Sequence, residues 1–119
     1  MGPMTPSLTG SLEAATPDAD AGVELTFTVR NEGTDTVTLQ FTDACKADFA
    51  VVDEETGWEV WRFTDGRMFA QLLSADELEP GEATTYEAEW ETPKSGEFTV
   101  VAELRARETT CEARTALSV

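Results

Sequence analysis

The groups in this chain able to do chemistry are almost all carboxylates. Its 119 residues carry 24 Asp and Glu against eight Lys and Arg, a formal net charge of -16, and no histidine. Without histidine there is no Ser-His-Asp or Cys-His arrangement, no histidine metal site and no imidazole base. Glu87, Glu89 and Glu91 are the densest carboxylate series. Their period of two puts them on one side of a strand whose other side carries Tyr86, Ala88 and Trp90, so they read as a solvated face rather than an acid/base pair. Cys45 and Cys111 stand too far apart for a C-x-x-C motif or a zinc-ligand spacing, and no Gly-rich phosphate loop opens a helix. Calcium would need six to eight oxygens from several loops. Asp53, Glu54 and Glu55 in one turn, or Asp43 and Asp48, do not supply them. The expectation is a binding protein, not an enzyme, with no cofactor and no metal.

Charge narrows the partners. The acids are spread along the chain, and the only lysines are Lys46 and Lys94. Phosphate backbones and anionic membranes would be repelled, so neither nucleic acid nor membrane is expected. The even spread and scarce lysine favour an acidic shell suited to high salt, where repulsion is screened within a few ångströms. A specific acidic face for a basic partner is the competing reading. No apolar run is long enough to span a bilayer. The first 22 residues lack the basic and apolar regions of a secretory signal, so a cytoplasmic setting is expected, with a monomer as the default.

The elements that must position any site are strands. Val23, Leu25, Phe27 and Val29 alternate with Glu24, Thr26, Thr28 and Arg30, and Val37, Leu39 and Phe41 with Thr36, Thr38 and Gln40. Asn31-Glu32-Gly33-Thr34-Asp35 between them is turn chemistry. Asp48–Val52 and Trp58–Phe63 form a hairpin around Thr56-Gly57. Further strands fall at Ser7–Ala15, around Tyr86–Trp90, at Phe98–Leu104 and at Ala113–Val119. One or two helical turns are expected within Met68–Leu78. Seven or eight short strands with regular turns predict an all-β, immunoglobulin-like antiparallel sandwich, with a barrel as the competing fold. Residues 1–6 read as a flexible tail and residues 7–119 as one domain. The expected core is Phe27, Val29, Leu39, Phe49, Val51, Trp61, Tyr86, Trp90, Phe98, Val100 and Leu104, with Trp58 on the face opposite Trp61.

The ordered series VRNEGTDTVTLQF, DFAVVDEETGWEVWRF, MFAQLL, LEPGEATTYEAEW and GEFTVVAEL closely resembles the BsuPI family of intracellular proteinase inhibitors. The resemblance runs from about Leu25 to Leu104. Its most specific pieces are Asp48-Phe49, Val60-Trp61-Arg62, Phe69-x-Gln71, Pro80-Gly81-Glu82 and Trp90, in that order. It implies an immunoglobulin-like sandwich and non-catalytic inhibition of a serine protease of the subtilisin type. Departures lie at Ala44-Cys45-Lys46, where the family tends to carry a Gly-containing turn, and in the acidity. The alternative function is an interaction module of the same fold with no protease target.

The candidate contact with a protease is the long loop Thr64-Asp65-Gly66-Arg67-Met68-Phe69 and its continuation to Leu73. Thr64–Met68 would be extended and braced by Phe69 and Leu72. The competing reading is a crossover between sheets whose apolar residues cap the core. The cysteines also have two readings. If the Asp48–Phe63 hairpin holds the third strand of the sandwich, Cys45 and Cys111 lie at one end and a disulfide is geometrically reasonable, contributing about 4 kcal/mol in the chain-entropy model. If Thr36–Phe41 is that strand, they lie at opposite ends. A cytoplasmic setting argues against the bond.

Overall fold

Alternation sets the sheets. Val23, Leu25, Phe27 and Val29 are fully buried, while Glu24 and Arg30 between and beyond them are exposed. The structure, a computed structural model, describes residues 8–16, 22–107 and 109–119; the tail expected at residues 1–6 lies outside them. Nine strands follow in order: β1 Leu8–Ala15, β2 Val23–Asn31, β3 Val37–Phe41, β4 Ala47–Asp53, β5 Glu59–Arg62, β6 Ser74–Leu78, β7 Ala83–Trp90, β8 Glu97–Leu104 and β9 Glu112–Ser118. All pairings are antiparallel, and no helix is present among the described residues.

One sheet has the order β1-β2-β7, another β5-β4-β8-β9, and β3 pairs with β6. The inner faces of the two larger sheets meet in an aromatic core. Phe27 on β2 packs edge-on to Phe49 on β4, with centroids 6.4 Å apart, and Trp90 on β7 packs edge-on to Phe98 on β8 at 5.2 Å. Phe41 on β3 reaches Tyr86 on β7 at 6.4 Å and joins the β3–β6 pair to this core. The result is the antiparallel sandwich that the alternation predicts.

At Gly10, β1 comes close to β9. A Cβ there would stand 3.0 Å from Cys111 Sγ, 3.0 Å from the Phe27 ring and 3.1 Å from the Glu112 carbonyl oxygen. No side chain fits without displacing the ring or the strand.

Three expectations are corrected. Met68–Leu78 holds no helix. Its second half is a strand, β6, which brings the count to nine against the seven or eight expected and is in register with β3 from Val37↔Leu78 to Phe41↔Ser74. Ser74-Ala75-Asp76-Glu77-Leu78 has weak strand propensity and one buried residue, Leu78. Its partners impose the strand: the β3 ladder, and Asp76, which takes Lys46 Nζ at 3.1 Å and the Tyr86 hydroxyl at 3.5 Å. Trp61 and Tyr86 are half-buried against the core rather than inside it. For Trp61 the cause is its place on β5, the edge of its sheet. The other nine expected core residues are buried.

Candidate functional site

The candidate loop leaves an edge strand that is deliberately irregular. On β5, Trp61 faces Val51 and Glu59 faces Val52, so Val60 is an extra residue in a β-bulge. A bulge on a short edge strand ends its pairing and re-aims the chain beyond it. The Phe63 N–H still donates to the Phe49 carbonyl at 2.8 Å. The chain then turns: the Asp65 N–H donates to Arg62 O at 3.1 Å and the Arg67 N–H to Thr64 O at 3.2 Å. Gly66 closes this turn at φ +73°, a left-handed conformation that side-chain-bearing residues adopt at a cost. Thr64–Met68 is therefore not extended throughout. Phe63–Gly66 is the turn, and the chain without regular structure runs from Arg67 to Leu73.

Asp48 clamps the first leg of the loop to β4. Its Oδ1 accepts the Phe49 N–H at 2.9 Å and the Thr64 N–H at 3.3 Å. Its Oδ2 accepts the Thr64 hydroxyl at 3.1 Å and an Arg62 N–H. Arg62 also grips Glu59 through Nε and a second guanidinium nitrogen. Hydrogen bonding to Glu59 and then to Asp48 raises the Arg62 pKa above that of an ordinary arginine. The second leg is held by the Ala44 N–H, which donates to Ala70 O at 2.9 Å.

Phe63 is the brace between the legs. Its ring meets Phe49 at 6.0 Å, Trp61 at 6.4 Å and Phe69 at 6.0 Å, and the Arg67 guanidinium lies over it at 4.6 Å. Phe69 and Thr64 are half-buried, and Asp65, Gly66 and Arg67 are exposed. Met68 stands 98% exposed, Leu73 79% and Leu72 59%. Leu72, expected as a brace, instead adds to the exposed apolar surface. Asp48 and Phe63 are the positioning residues that loop-by-loop reading missed. Asp48 is separated from the loop in sequence, and only the ordered Asp48-Phe49 and Val60-Trp61-Arg62 pieces marked it.

The acidic turns hold local structure. Asp53 Oδ1 accepts the N–H groups of Glu55 at 2.8 Å and Thr56 at 3.4 Å, Asp43 Oδ1 the Cys45 N–H at 2.9 Å, and Glu54 the Thr99 hydroxyl at 3.1 Å. Among the described residues no group of three or more Cys, Asp or Glu converges as a metal site.

Cys45 and Cys111 are both buried free thiols. They precede β4 and β9 at the same end of the sandwich, as one reading required. Both strands, however, flank β8 on opposite sides. Two strand spacings of about 4.8 Å exceed the Cα separation a disulfide spans. The Cys45 thiol donates to Ala47 O at 3.2 Å, and burial pushes the Cys111 thiol pKa up.

Residues 8–109 match the profile of BsuPI, described as an intracellular proteinase inhibitor. The chain belongs to this family, and that description implies a non-enzymatic inhibitor. No curated protein matches it. Among solved structures, a CARDB domain from Pyrococcus furiosus, in complex with di-metal ions, is 18% identical with a TM-score of 0.52, over 99% of this chain and 94% of that one. Bacteroides uniformis β-glucuronidase 2, bound covalently to an aziridine, is 16% identical with a TM-score of 0.51, over 90% of this chain. This chain spans only 13% of that enzyme's length. Both likenesses concern the fold alone. No helix among the described residues is long and apolar enough to cross a membrane.

Proposed function

We propose that this member of the intracellular proteinase inhibitor family blocks a serine protease of the subtilisin type by non-catalytic binding, with Thr64–Leu73 as the contact loop. One observation carries the loop assignment. Met68 is almost fully exposed on a segment whose two legs are each fixed to the sandwich, by Asp48 and by Ala44. An apolar side chain on solvent is ordinary by itself. On a pre-braced loop it is what a cleft-filling inhibitor needs, because a loop already ordered loses less entropy on binding. Arg67 and Phe69, both against Phe63, hold Met68 outward from either side.

In this reading the protein acts as a monomer in the cytoplasm, without cofactor or metal. Its acidic shell suits a high-salt interior, where a charge of -16 is screened. The test is inhibition of subtilisin-type proteases at micromolar concentration in matched salt. Stoichiometric loss of protease activity supports the proposal. No effect on any such protease would replace it with the interaction-module reading.

A further inference from the structure

Among the described residues, the exposed large hydrophobics are Trp58, Val60, Met68, Leu72, Leu73 and Val119. Five of these six fall between residues 58 and 73. β5 is the edge strand of the four-stranded sheet, with Trp58 just before it, Val60 on its bulge and the candidate loop leading from it to β6. Trp58 is 76% exposed and so contributes little to the core. Its backbone is nonetheless fixed. Its N–H donates to Thr56 Oγ1 at 3.2 Å, its carbonyl accepts the Asp53 N–H at 2.8 Å, and the Gly57 N–H donates to Asp53 O at 2.8 Å. The adjoining strand is tied in by the Glu54 N–H to Glu97 O bond at 3.1 Å. A rigid turn thus presents a tryptophan to solvent, the residue type most enriched among binding hot spots.

We infer that Trp58 is a second anchor for the same protease, docking on an apolar depression rimmed by Lys and Arg outside the catalytic cleft. This rests on the inhibitor reading. The charge of the hairpin defines the rim. Asp53, Glu54 and Glu55 flank Trp58, and the sequence has no Lys or Arg between Lys46 and Arg62. β5 with its flanking residues spans on the order of 15 Å from Trp58 to Phe63, and Met68 follows five residues on, past the turn. A standard interface of about 800 Å² per side is roughly 30 Å across. An interface of that breadth is wide enough to take Trp58, Val60 on the bulge and the loop that follows β5.

The experiment compares inhibition constants of the wild type, Trp58→Ala and Met68→Gly against the inhibited protease across a salt series, with melting temperatures alongside. Trp58→Ala is expected to weaken inhibition about 30-fold, the size of a hot-spot loss, with an unchanged melting temperature. A Glu54→Lys, Glu55→Lys variant is expected to weaken inhibition most at low salt. Unchanged inhibition by Trp58→Ala, with Met68→Gly weakened, overturns the second anchor and leaves the loop standing. A Trp58→Ala protein that melts several degrees lower overturns it too, because Trp58 would then be structural. No inhibition by the wild type removes both the anchor and the reading beneath it.

Discussion

Two corners of this sandwich use the same device to opposite ends. Between β2 and β3, Asn31 is fully buried, and its amide donates to Asp35 O at 2.7 Å and Leu78 O at 2.9 Å while accepting the Gly33 N–H at 2.9 Å. Between β5 and β6, Asp48 accepts two backbone N–H groups, one hydroxyl and one guanidinium. In each case one short polar side chain satisfies backbone groups that a turn leaves unpaired. The difference lies in what stands outside. The Asn31 corner shows water Glu32, Thr34 and Asp35; the Asp48 corner shows Met68, Leu72 and Leu73. The first corner closes the fold, and the second holds an apolar surface away from it.

The largest effect that would test this contrast is on Asn31. Asn31→Ala leaves two carbonyls and an N–H without their partners, and about 3 kcal/mol of stability should be lost in a denaturant titration. A loss below about 1 kcal/mol would mean that water replaces the amide and the corner is not a closure. Phe69→Ala comes next, at about 2 kcal/mol, since it removes a half-buried ring from the Phe63 brace. It should weaken inhibition as well. Asp48→Ala should cost only about 1 kcal/mol, because the Arg62 pair is partly exposed. Its sharper effect should be faster cleavage of the chain within residues 64–69 by an added protease, followed by mass spectrometry. Equal cleavage rates would show that Asp48 does not clamp the loop.

A pH-dependent effect separates the β3–β6 pair from the rest. Burial and the nearby Asp76 charge push the Tyr86 pKa up to about 12. Unfolded, Tyr86 loses its proton near pH 10; folded, it keeps it to about pH 12. The unfolded state therefore binds fewer protons in that window, and stability should fall as pH rises from about 10 to about 12. Tyr86→Phe should flatten this part of the alkaline profile. Raising salt at neutral pH should raise the denaturation midpoint, because it screens a net charge of -16. A flat salt profile would leave the acids as a specific face instead of a shell.

Much of the fold was legible because its signals are local. β2 and β3 follow from alternation, the Asn31–Asp35 turn from its residue types, and the β4–β5 hairpin from Asp53 to Trp58 with Gly57 at its close. The family was legible as an ordered set of short pieces, and its profile covers them. What escaped was set at a distance. β6 is a strand because β3 and Lys46 make it one, not because Ser74–Leu78 prefers to be. Trp61 lost part of its burial because β5 turned out to be an edge. The loop bends at Phe63–Gly66 under the hold of Asp48, which lies on another strand. Thr64–Met68, expected as the extended contact segment, is therefore partly turn, and Leu72, expected as its brace, is exposed with Met68 and Leu73.

Whether Thr64–Leu73 is the contact is decided by a single titration. A subtilisin-type protease inhibited by the wild type is titrated, in matched salt, with a variant carrying Arg67→Ala and Met68→Gly. The predicted result is inhibition weakened at least tenfold with a melting temperature close to that of the wild type, since exposed loop side chains contribute little packing. Full inhibition by the doubly substituted protein would rule the loop out as the contact, because the side chains that it holds outward would then have no part in binding.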